Sequence, residues 1–530
     1  MTGALGHAPV RAWATVLAVV AVLVSACTVG PSQRPPVAVH GEAGPPAAAA
    51  AGPPGTRAPA VPEPEPQRPS MSFFDCTAEV LATAPVPVPA GRALRADCGE
   101  LVVPIDPAAP GSGRTLVGVL RVGLADAPPD RPPLLVVGDS ATDPTAAHAV
   151  TRAAQLPDEV LARYTLVGID RRGFGLDRLD CAPAPAQAAI VDADPAGLAL
   201  AGLDALLEQA RAIAQECNIA VSGSLGGYRS AATAADVERV RAALGVPRLA
   251  ALGTGDGAGA LAVWAREAPF AVGRLVLDGP PGPVRPEPGT TAARAAAAEA
   301  TLDAFATACS AGDPPCPLGP DPRAAVAALL AALGERPLVA DDGRRLTAGG
   351  AVSALLAALG EPRRWPGLAT ALAAARAGDP AGLLAVLAPV TGPEGTFTGE
   401  LATACNDAPQ RLSPPEVAEL VPQWRGEYPV FGPTLAHRLL ACGPWPARPA
   451  DPEPVPAPAG PPVLVVGTTA DPRTSLDASR RTAETFATGR FVTWAGAGTG
   501  AYPRTPCVTA AVHTLLVEGA VPSADTLCPP

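Results

Sequence analysis

The pattern of apolar and polar positions predicts alternating strands and helices from residue 71 onward. Eight short apolar runs recur, and the last six are almost continuously hydrophobic, which is typical of parallel strands covered on both faces. Helical stretches lie between them, most clearly at 234–244 and 259–267. The pattern therefore indicates an α/β fold with a doubly wound, mostly parallel sheet. The predicted strands are 101–105, 115–122, 133–137, 164–169, 248–252, 274–277, 462–466 and 490–494.

The stretch between the sixth and seventh predicted strands is too long for a simple crossover. From about 294 to 378 it is rich in Ala and Leu with helical periodicity, and Gly-Asp-Pro and Gly-Glu-Pro turns interrupt it. We therefore predict an inserted, mainly helical cap over the carboxyl ends of the strands, where ligands bind in such sheets. The predicted boundaries are 71–285 for the first part of the core, 286–440 for the cap and 441–530 for the rest of the core.

The first residues have the composition of an export signal. Arg11 precedes an apolar run, 12–24, that is too short for an ordinary membrane-spanning helix. The run ends in V-S-A-C, which resembles a bacterial lipobox whose cysteine, here Cys27, is acylated and becomes the new N-terminus. The alternative is a plain signal peptide with a chance cysteine. We expect a lipoprotein signal over 1–27 and a protein anchored through Cys27 to the extracytoplasmic face of the cell membrane.

Composition adds three expectations. Residues 28–70 are rich in Pro, Ala and Gly and nearly free of large apolar side chains, so we predict a disordered tether there. Hydrophobic residues make up 48% of the 530 residues, enough for a sizeable core. The net charge of −11, with no cluster of basic residues, argues against nucleic acid as a partner.

Cysteine usage agrees with export. Ten cysteines remain besides Cys27, and an even number in an oxidising compartment indicates a disulfide framework. We expect neither a metal site nor a cofactor, because the chain has no CxxC motif and no histidine close to a cysteine. The ten are Cys76, Cys98, Cys181, Cys217, Cys309, Cys316, Cys405, Cys442, Cys507 and Cys528.

Eight strands with an insertion after the sixth are the plan of the α/β-hydrolase fold. That fold carries its nucleophile on a sharp turn after the fifth strand, between small residues that let the backbone bend tightly. Here the turn reads L-G-T-G-D-G over 252–257. The position between the two small flanking residues is Gly255, which has no side chain.

Several segments, in order, resemble the actinobacterial exported hydrolases of the tripeptidyl aminopeptidase-like family. The resemblance covers nearly the whole mature chain and implies an α/β-hydrolase fold with peptidase or esterase chemistry in the family. The segments are CGELVVPID at 98–106, DRRGFG at 170–175 leading to Cys181, DVERVRAALG at 236–245, GRLVLDG at 273–279, CND at 405–407, CGPWP at 442–446 and the region 507–528.

The resemblance assigns the catalytic positions residue by residue. The family pattern G-x-S-Y-G puts its serine on Gly255, and the family turn G-A-G-H-G puts its histidine on Thr499, within G-A-G-T-G. The acid of a G-T-x-D-P-like segment falls on Asp471, with one extra residue before the aspartate. Asp471 is then the surviving member of the triad, although an Asp-Pro pair is also a common turn former.

The oxyanion segment is altered as well. The family's G-G-P-G-like loop after the third strand is here V-G-D-S-A, with Gly138, Asp139 and Ser140. An aspartate beside an oxyanion site opposes the negative charge that develops there. Acyl transfer needs a hydroxyl that attacks and a base that takes its proton. The residues therefore indicate a pseudoenzyme that acts by binding, with a peptide or cell-envelope molecule as its ligand.

An active peptidase or esterase with an unorthodox nucleophile is the competing hypothesis. Asp256 follows the apex of the turn and would serve if the apex shifted by one residue, and Ser140 is a candidate by proximity alone. Both lack a partner, because His148, His437 and His513 are the only histidines of the folded part and none directly follows the eighth strand. A purely structural envelope protein is a third possibility.

The resemblance also implies disulfides between near neighbours, whereas the cysteine count alone leaves the connectivity open. The implied pairs are Cys76 with Cys98, Cys181 with Cys217, Cys309 with Cys316, Cys405 with Cys442, and Cys507 with Cys528.

Overall fold

The structure is a computed structural model that describes residues 71–530 except 85, 129, 284–286, 409 and 447–459. The predicted signal peptide, Cys27 and the predicted tether lie outside the described residues. Within the described part of the chain, every helix is too short or too polar to cross a bilayer.

A ten-stranded sheet forms the centre of the core, and a separate hairpin of β8 and β9 lies apart from it. The strands are β1 (Phe73–Asp75), β2 (Leu94–Pro104), β3 (Arg114–Leu124), β4 (Pro133–Val137), β5 (Thr165–Ile169), β6 (Leu249–Thr254), β7 (Val272–Asp278), β8 (Leu338–Val339), β9 (Arg345–Leu346), β10 (Val463–Ala470), β11 (Gly489–Ala497) and β12 (Thr526–Cys528). Their order in the sheet is β1-β2-β3-β5-β4-β6-β7-β10-β11-β12.

The helices surround this sheet and fill the insertion. They are α1 (Thr77–Ala82), α2 (His148–Gln155), α3 (Asp158–Arg163), α4 (Ala184–Val191), α5 (Leu200–Ala220), α6 (Ser230–Ala243), α7 (Asp256–Glu267), α8 (Gly289–Ser310), α9 (Pro322–Glu335), α10 (Ala348–Leu359), α11 (Trp365–Arg376), α12 (Ala381–Thr391), α13 (Phe397–Asp407), α14 (Pro414–Glu427), α15 (Gly432–Arg438), α16 (Leu476–Glu484) and α17 (Pro506–His513).

All eight predicted strands are present, and the last six of them, β4, β5, β6, β7, β10 and β11, pair in parallel with one another. Both faces of these strands are buried. Along β4, Leu134 and Val136 belong to one hydrophobic cluster and Leu135 and Val137 to the cluster on the other face. The expected α/β-hydrolase fold with an inserted, mainly helical cap is confirmed.

Two edge strands of the sheet are additions to the eight predicted ones. β1 and β12 contain only three residues each, too few for a periodic signal. A disulfide holds each of them in place, since Cys76 next to β1 bonds Cys98 in β2, and Cys528 in β12 bonds Cys507 in α17. All five disulfides join the pairs that the resemblance implies.

The cap occupies the stretch between β7 and β10, where helices α8 to α15 follow one another. Helices α4 and α5, which lie between β5 and β6, share its interior. Ile190 and Leu203 of these helices belong to the same buried cluster as Phe305 and Leu355 of the insertion. Two separate segments of the chain therefore build the helical layer, and the first of them is not part of the predicted insertion.

Candidate active site

The chain bends sharply between β6 and α7, at Gly255. Its φ of +58° and ψ of −131° are values that a residue with a side chain adopts only under strain. The Gly255 N–H donates to the carbonyl of Asp278 at 2.9 Å, which fixes the turn to β7. Asp256 already begins α7. The strained strand-to-helix turn of a hydrolase nucleophile is therefore present, with its apex at Gly255 and not at Asp256.

The side chain of Asp139, from the loop after β4, fills the space in front of this apex. A Cβ added to Gly255 would lie 2.1 Å from Asp139 Oδ2, so a nucleophile side chain could not start there unless Asp139 moved. The same carboxylate oxygen accepts the N–H of Asp256 at 3.2 Å. In this fold the N–H that follows the nucleophile helps to hold the oxyanion. Here it holds a carboxylate of the protein itself.

The rest of the oxyanion loop is bonded in the same way. Ser140 donates its N–H to Asp256 Oδ1 at 2.8 Å and its hydroxyl to Asp256 Oδ2 at 2.5 Å. The N–H of Ala141 donates to Asp139 Oδ1 at 3.1 Å. This loop supplies the second oxyanion donor in α/β-hydrolases. The described backbone donors on both sides of the site are thus satisfied by Asp139 and Asp256.

Three further charged residues, all missed from the sequence, complete this network. Arg171, only 1% exposed, forms an ion pair with Asp256. Arg473 lies two residues after Asp471, and its guanidinium is 2.9 Å from both Asp139 Oδ1 and Glu400 Oε1. Because Glu400 belongs to α13, Arg473 connects the cap to the oxyanion loop. Arg171 stands in the DRRGFG segment, but no sequence signal marks Glu400.

The two aspartates of this network have opposite pKa shifts. Burial raises the pKa of Asp139, and the charge of Arg473 offsets only part of this increase. Burial also acts to raise the pKa of Asp256. There the charge of Arg171 and the hydrogen bond from the Ser140 hydroxyl outweigh it, and the pKa falls below its ordinary value. Asp256 is therefore an ionised carboxylate at neutral pH, and its charge is already compensated by Arg171.

Asp471 and Thr499, the predicted acid and base positions, contact each other. Asp471 is 1% exposed and its Oδ1 accepts the Thr499 hydroxyl at 2.7 Å and the Arg473 N–H at 2.9 Å. Its Oδ2 has no partner among the described residues. Burial raises the pKa of Asp471 to about 7, against the effect of the Thr499 hydrogen bond.

A turn of the cap packs directly on the base position. The Thr499 N–H donates to the carbonyl of Gly360, the residue that follows α10, at 2.8 Å. A Cβ on Gly360 would lie 3.0 Å from Thr499 Oγ1, so the two backbones approach closely. Little space remains on that side of Thr499 for a larger side chain.

The histidines make their contacts elsewhere. His148 Nδ1 lies 3.0 Å from Asp143, although the ring also packs near Gly138. His437, in α15 of the cap, is 1% exposed and has no hydrogen-bond partner among the described residues, and burial lowers its pKa to about 4. His513 in α17 faces Glu159 at 3.5 Å. The described contacts join none of these rings to the carboxylates of the site.

A cleft of about 690 Å³ opens at the same edge of the sheet, between the loops after β4 and β5 and the cap. Its lining is mostly apolar, with one basic and one acidic side chain. The residues that line it are Pro144, Thr145, Phe174, Gly175, Arg178, Ala388, Pro389, Pro393, Glu394, Gly395 and Thr396. Among the described residues, no three His, Cys, Asp or Glu side chains are grouped as metal ligands.

Comparison with known proteins agrees with the topology. A family model described as TAP-like protein matches residues 428–528, the segment that contains Asp471 and Thr499. "Carboxylesterase B" of Mycobacterium tuberculosis is 28% identical over 467 residues, which cover 82% of this chain and 86% of its own. "Serine protease Hip1" of the same species is 27% identical over 465 residues, covering 81% and 87%. "Tripeptidyl aminopeptidase" of Streptomyces lividans is 25% identical over 487 residues, covering 87% of each chain.

The chain has the α/β-hydrolase fold and is similar to TAP-like hydrolases over more than four-fifths of its length. In this chain the backbone of the nucleophile turn is present, yet its apex is a glycine that faces a carboxylate. The predicted acid is buried and hydrogen-bonded to a threonine. The arrangement holds charges and hydrogen-bond donors, and the Thr499 hydroxyl at the base position donates to Asp471.

Proposed function

We propose that the protein is a non-catalytic TAP-like hydrolase that acts by binding. The observation that carries this proposal is the Asp139 carboxylate, which occupies the space beside Gly255 and accepts the Asp256 N–H. A tetrahedral intermediate would need that space and that donor for its oxyanion. In subtilisin, a serine hydrolase of a different fold, loss of the nucleophile or the base alone reduces turnover on the order of 10⁶-fold.

The contacts of Asp256 weigh against its use as a substitute nucleophile. Both of its carboxylate oxygens accept hydrogen bonds from Ser140, and Arg171 compensates its charge. An attacking carboxylate would have to give up these bonds. It would also attack from the first residue of a helix, because the apex of the turn is at Gly255.

Hydrolysis assays of the purified chain test the proposal. The substrates are short-chain nitrophenyl esters and aminoacyl- and tripeptidyl-nitroanilides, the classes that the names of the relatives suggest. The tripeptidyl aminopeptidase of Streptomyces lividans serves as the positive control. We expect no turnover above buffer, and no change with Asp256→Asn or Asp471→Asn. Turnover that Asp256→Asn abolishes would overturn the proposal.

Reconstruction gives a second test of the same observation. The double variant Gly255→Ser, Thr499→His is expected to stay inactive because Asp139 still occupies the site. Adding Asp139→Gly removes the carboxylate, so the triple variant is the first expected to hydrolyse nitrophenyl esters measurably. Measurable hydrolysis by the double variant, equal to that of the triple variant, would show that Asp139 does not block the site.

We further propose that the protein is exported and anchored to the extracytoplasmic face of the membrane through a lipid on Cys27, with a peptide or cell-envelope ligand in the cleft between core and cap. Five disulfides support export, because such bonds persist in oxidising compartments.

Metabolic labelling with an alkyne analogue of palmitate tests the anchor. Label and membrane association should both be lost in Cys27→Ser and kept in the neighbouring control Thr28→Ser. An unlabelled protein, or membrane association that survives Cys27→Ser, would contradict the proposed anchor.

A further inference from the structure

Two arginines between cap and core have no carboxylate partner among the described residues. The guanidinium of Arg294, in α8, takes part in no hydrogen bond or ion pair with any described residue, and its Nε is buried without a partner. Arg438, at the end of α15, has one described side-chain hydrogen bond, to Ser353 Oγ at 2.6 Å. Burial lowers the pKa of both arginines, and the negative charge of Glu400, which is bonded to Arg473, offsets only part of this effect.

The neighbouring carboxylates are already engaged elsewhere. Glu400 and Asp139 both pair with Arg473, and Asp256 pairs with Arg171. Glu287, seven residues before Arg294 in the chain, accepts the N–H of Thr291. Among the described residues, no carboxylate therefore pairs with Arg294 or Arg438.

The two arginines lie close to each other and to the predicted acid position. Helix α8 packs against β10, which leads to Asp471, and against α10 and α15, which carry Ser353 and Arg438. Burial and the positive charge of Arg294 together lower the pKa of Arg438 to about 10. Both residues are half-buried.

We propose that Arg294 and Arg438 form a binding site for the oxyanion group of a small ligand, a carboxylate or a phosphate, at the junction of cap and core. The planar guanidinium matches the geometry of both groups and binds them with two parallel hydrogen bonds. An anion between the two side chains removes their mutual repulsion. This proposal rests on the proposed binding function, and it specifies that the ligand carries a carboxylate or a phosphate group.

Isothermal titration calorimetry on the purified full chain tests the site with three probes: inorganic phosphate, trialanine and trialanine amide. Saturable binding of phosphate, or of trialanine but not its amide, supports the site and identifies the group it takes. Arg294→Gln and Arg438→Gln should each weaken that binding by about tenfold or more, the effect of one lost charged hydrogen bond. The control Arg211→Gln removes an exposed arginine on α5 and should leave the affinity unchanged.

Thermal unfolding without ligand separates binding from folding. Because Arg294 makes no hydrogen bond or ion pair with a described residue, Arg294→Gln should unfold at the wild-type temperature or above it. The proposal is overturned if none of the probes binds, if binding ignores both substitutions, or if Arg294→Gln alone lowers the unfolding temperature. Hydrolysis is read in a different assay, so failure of this site and failure of the non-catalytic proposal are distinguishable.

Discussion

The two halves of the candidate active site are filled by different groups. In the elbow half, formed by Asp139, Ser140, Gly255 and Asp256, charged groups occupy the vacant space and arginines compensate them. In the acid half, formed by Asp471 and Thr499, the hydrogen bond between these two side chains and a turn of the cap close the site. The elbow half should therefore tolerate the loss of one partner poorly, because a single change leaves a buried charge alone. The acid half should tolerate change better.

Loss of Arg171 is the largest effect that this comparison predicts. Arg171→Met removes the guanidinium, which is 1% exposed, and leaves Asp256 beside Asp139 without its main compensation. We expect the free energy of unfolding to fall by about 3 kcal/mol or more, the usual cost of breaking a buried pair. Urea denaturation monitored by circular dichroism measures it.

The exposed pair of Arg480 and Asp525 provides the control for that measurement. Arg480→Gln should change the free energy of unfolding by less than about 1 kcal/mol, as surface pairs do. Similar losses in Arg171→Met and Arg480→Gln would mean that the elbow half is no more sensitive than the surface.

A Cβ at position 255 should cost somewhat less. Gly255→Ala combines a strained backbone with a 2.1 Å approach to Asp139, and we expect a loss of about 2–3 kcal/mol. In an Asp139→Gly background the approach is gone and about 1 kcal/mol should remain. A double-mutant cycle by urea denaturation measures the coupling. The control Gly367→Ala, where a Cβ meets nothing within 4 Å, should not destabilise the protein. If the effects of Gly255→Ala and Asp139→Gly on the free energy of unfolding are additive, the contact between the two positions is disproved.

In the acid half, Asp471→Asn should stabilise the protein above neutral pH. The pKa of Asp471 is about 7 when folded and about 3.9 in an unfolded chain, so between these values the unfolded state has lost a proton that the folded state keeps. The wild-type free energy of unfolding therefore falls as pH rises through this window, and asparagine removes the effect. We expect a gain of at least about 1 kcal/mol at pH 8 and almost none at pH 4.

Glu361, in the cap turn beside Thr499, is the contrast for that pH series. Burial opposes its ionisation, yet hydrogen bonds from Arg504 and Arg363 lower its pKa to about 2. The ionised Glu361 carboxylate therefore adds to the free energy of unfolding at neutral pH, and this stabilisation is lost as the pH falls toward 2. Glu361→Gln should consequently destabilise the protein at pH 8. If Asp471→Asn also destabilises at pH 8, Asp471 is ionised and stabilised there.

The smallest expected effect is that of the threonine itself. Thr499→Val keeps the shape and removes the hydrogen bond to Asp471, which should reduce the free energy of unfolding by about 1 kcal/mol. Thr370→Val, at an exposed helical position, is the matched control and should stay within about 0.5 kcal/mol of wild type. A loss in Thr499→Val as large as that in Arg171→Met would remove the difference between the two halves.

The central strands could be predicted because a strand that is buried on both faces consists almost entirely of hydrophobic residues, which form a continuous run in the sequence. The edge strands β1 and β12 could not be predicted in this way, since a strand of three residues is too short to show a pattern of hydrophobic and polar positions. The membership of α4 and α5 in the helical layer could not be read either. An apolar stripe indicates that one face of a helix is buried, but it does not show which other helix or strand packs against that face.

The positions of Gly255, Asp471 and Thr499 followed from strand order together with the resemblance to the family's motifs, and the structure brings Asp471 and Thr499 into contact. The role of Asp139 did not follow, because residue type does not give the direction of a side chain. The pairing of Arg473 with Glu400 was equally out of reach, since it joins a core loop to a cap helix 73 positions earlier in the chain.

The disulfides at β1 and β12 also protect the edges of the sheet. Each of these strands is three residues long and carries an exposed apolar side chain, Phe74 and Leu527. If the bonds to Cys98 and Cys507 were reduced, few contacts would keep the strands in place. The N–H and C=O groups of β2 and β11 would then be open to pairing with other copies. The two disulfides thus protect both edges of the sheet from aggregation, and this protection holds only in a compartment where disulfides stay oxidised.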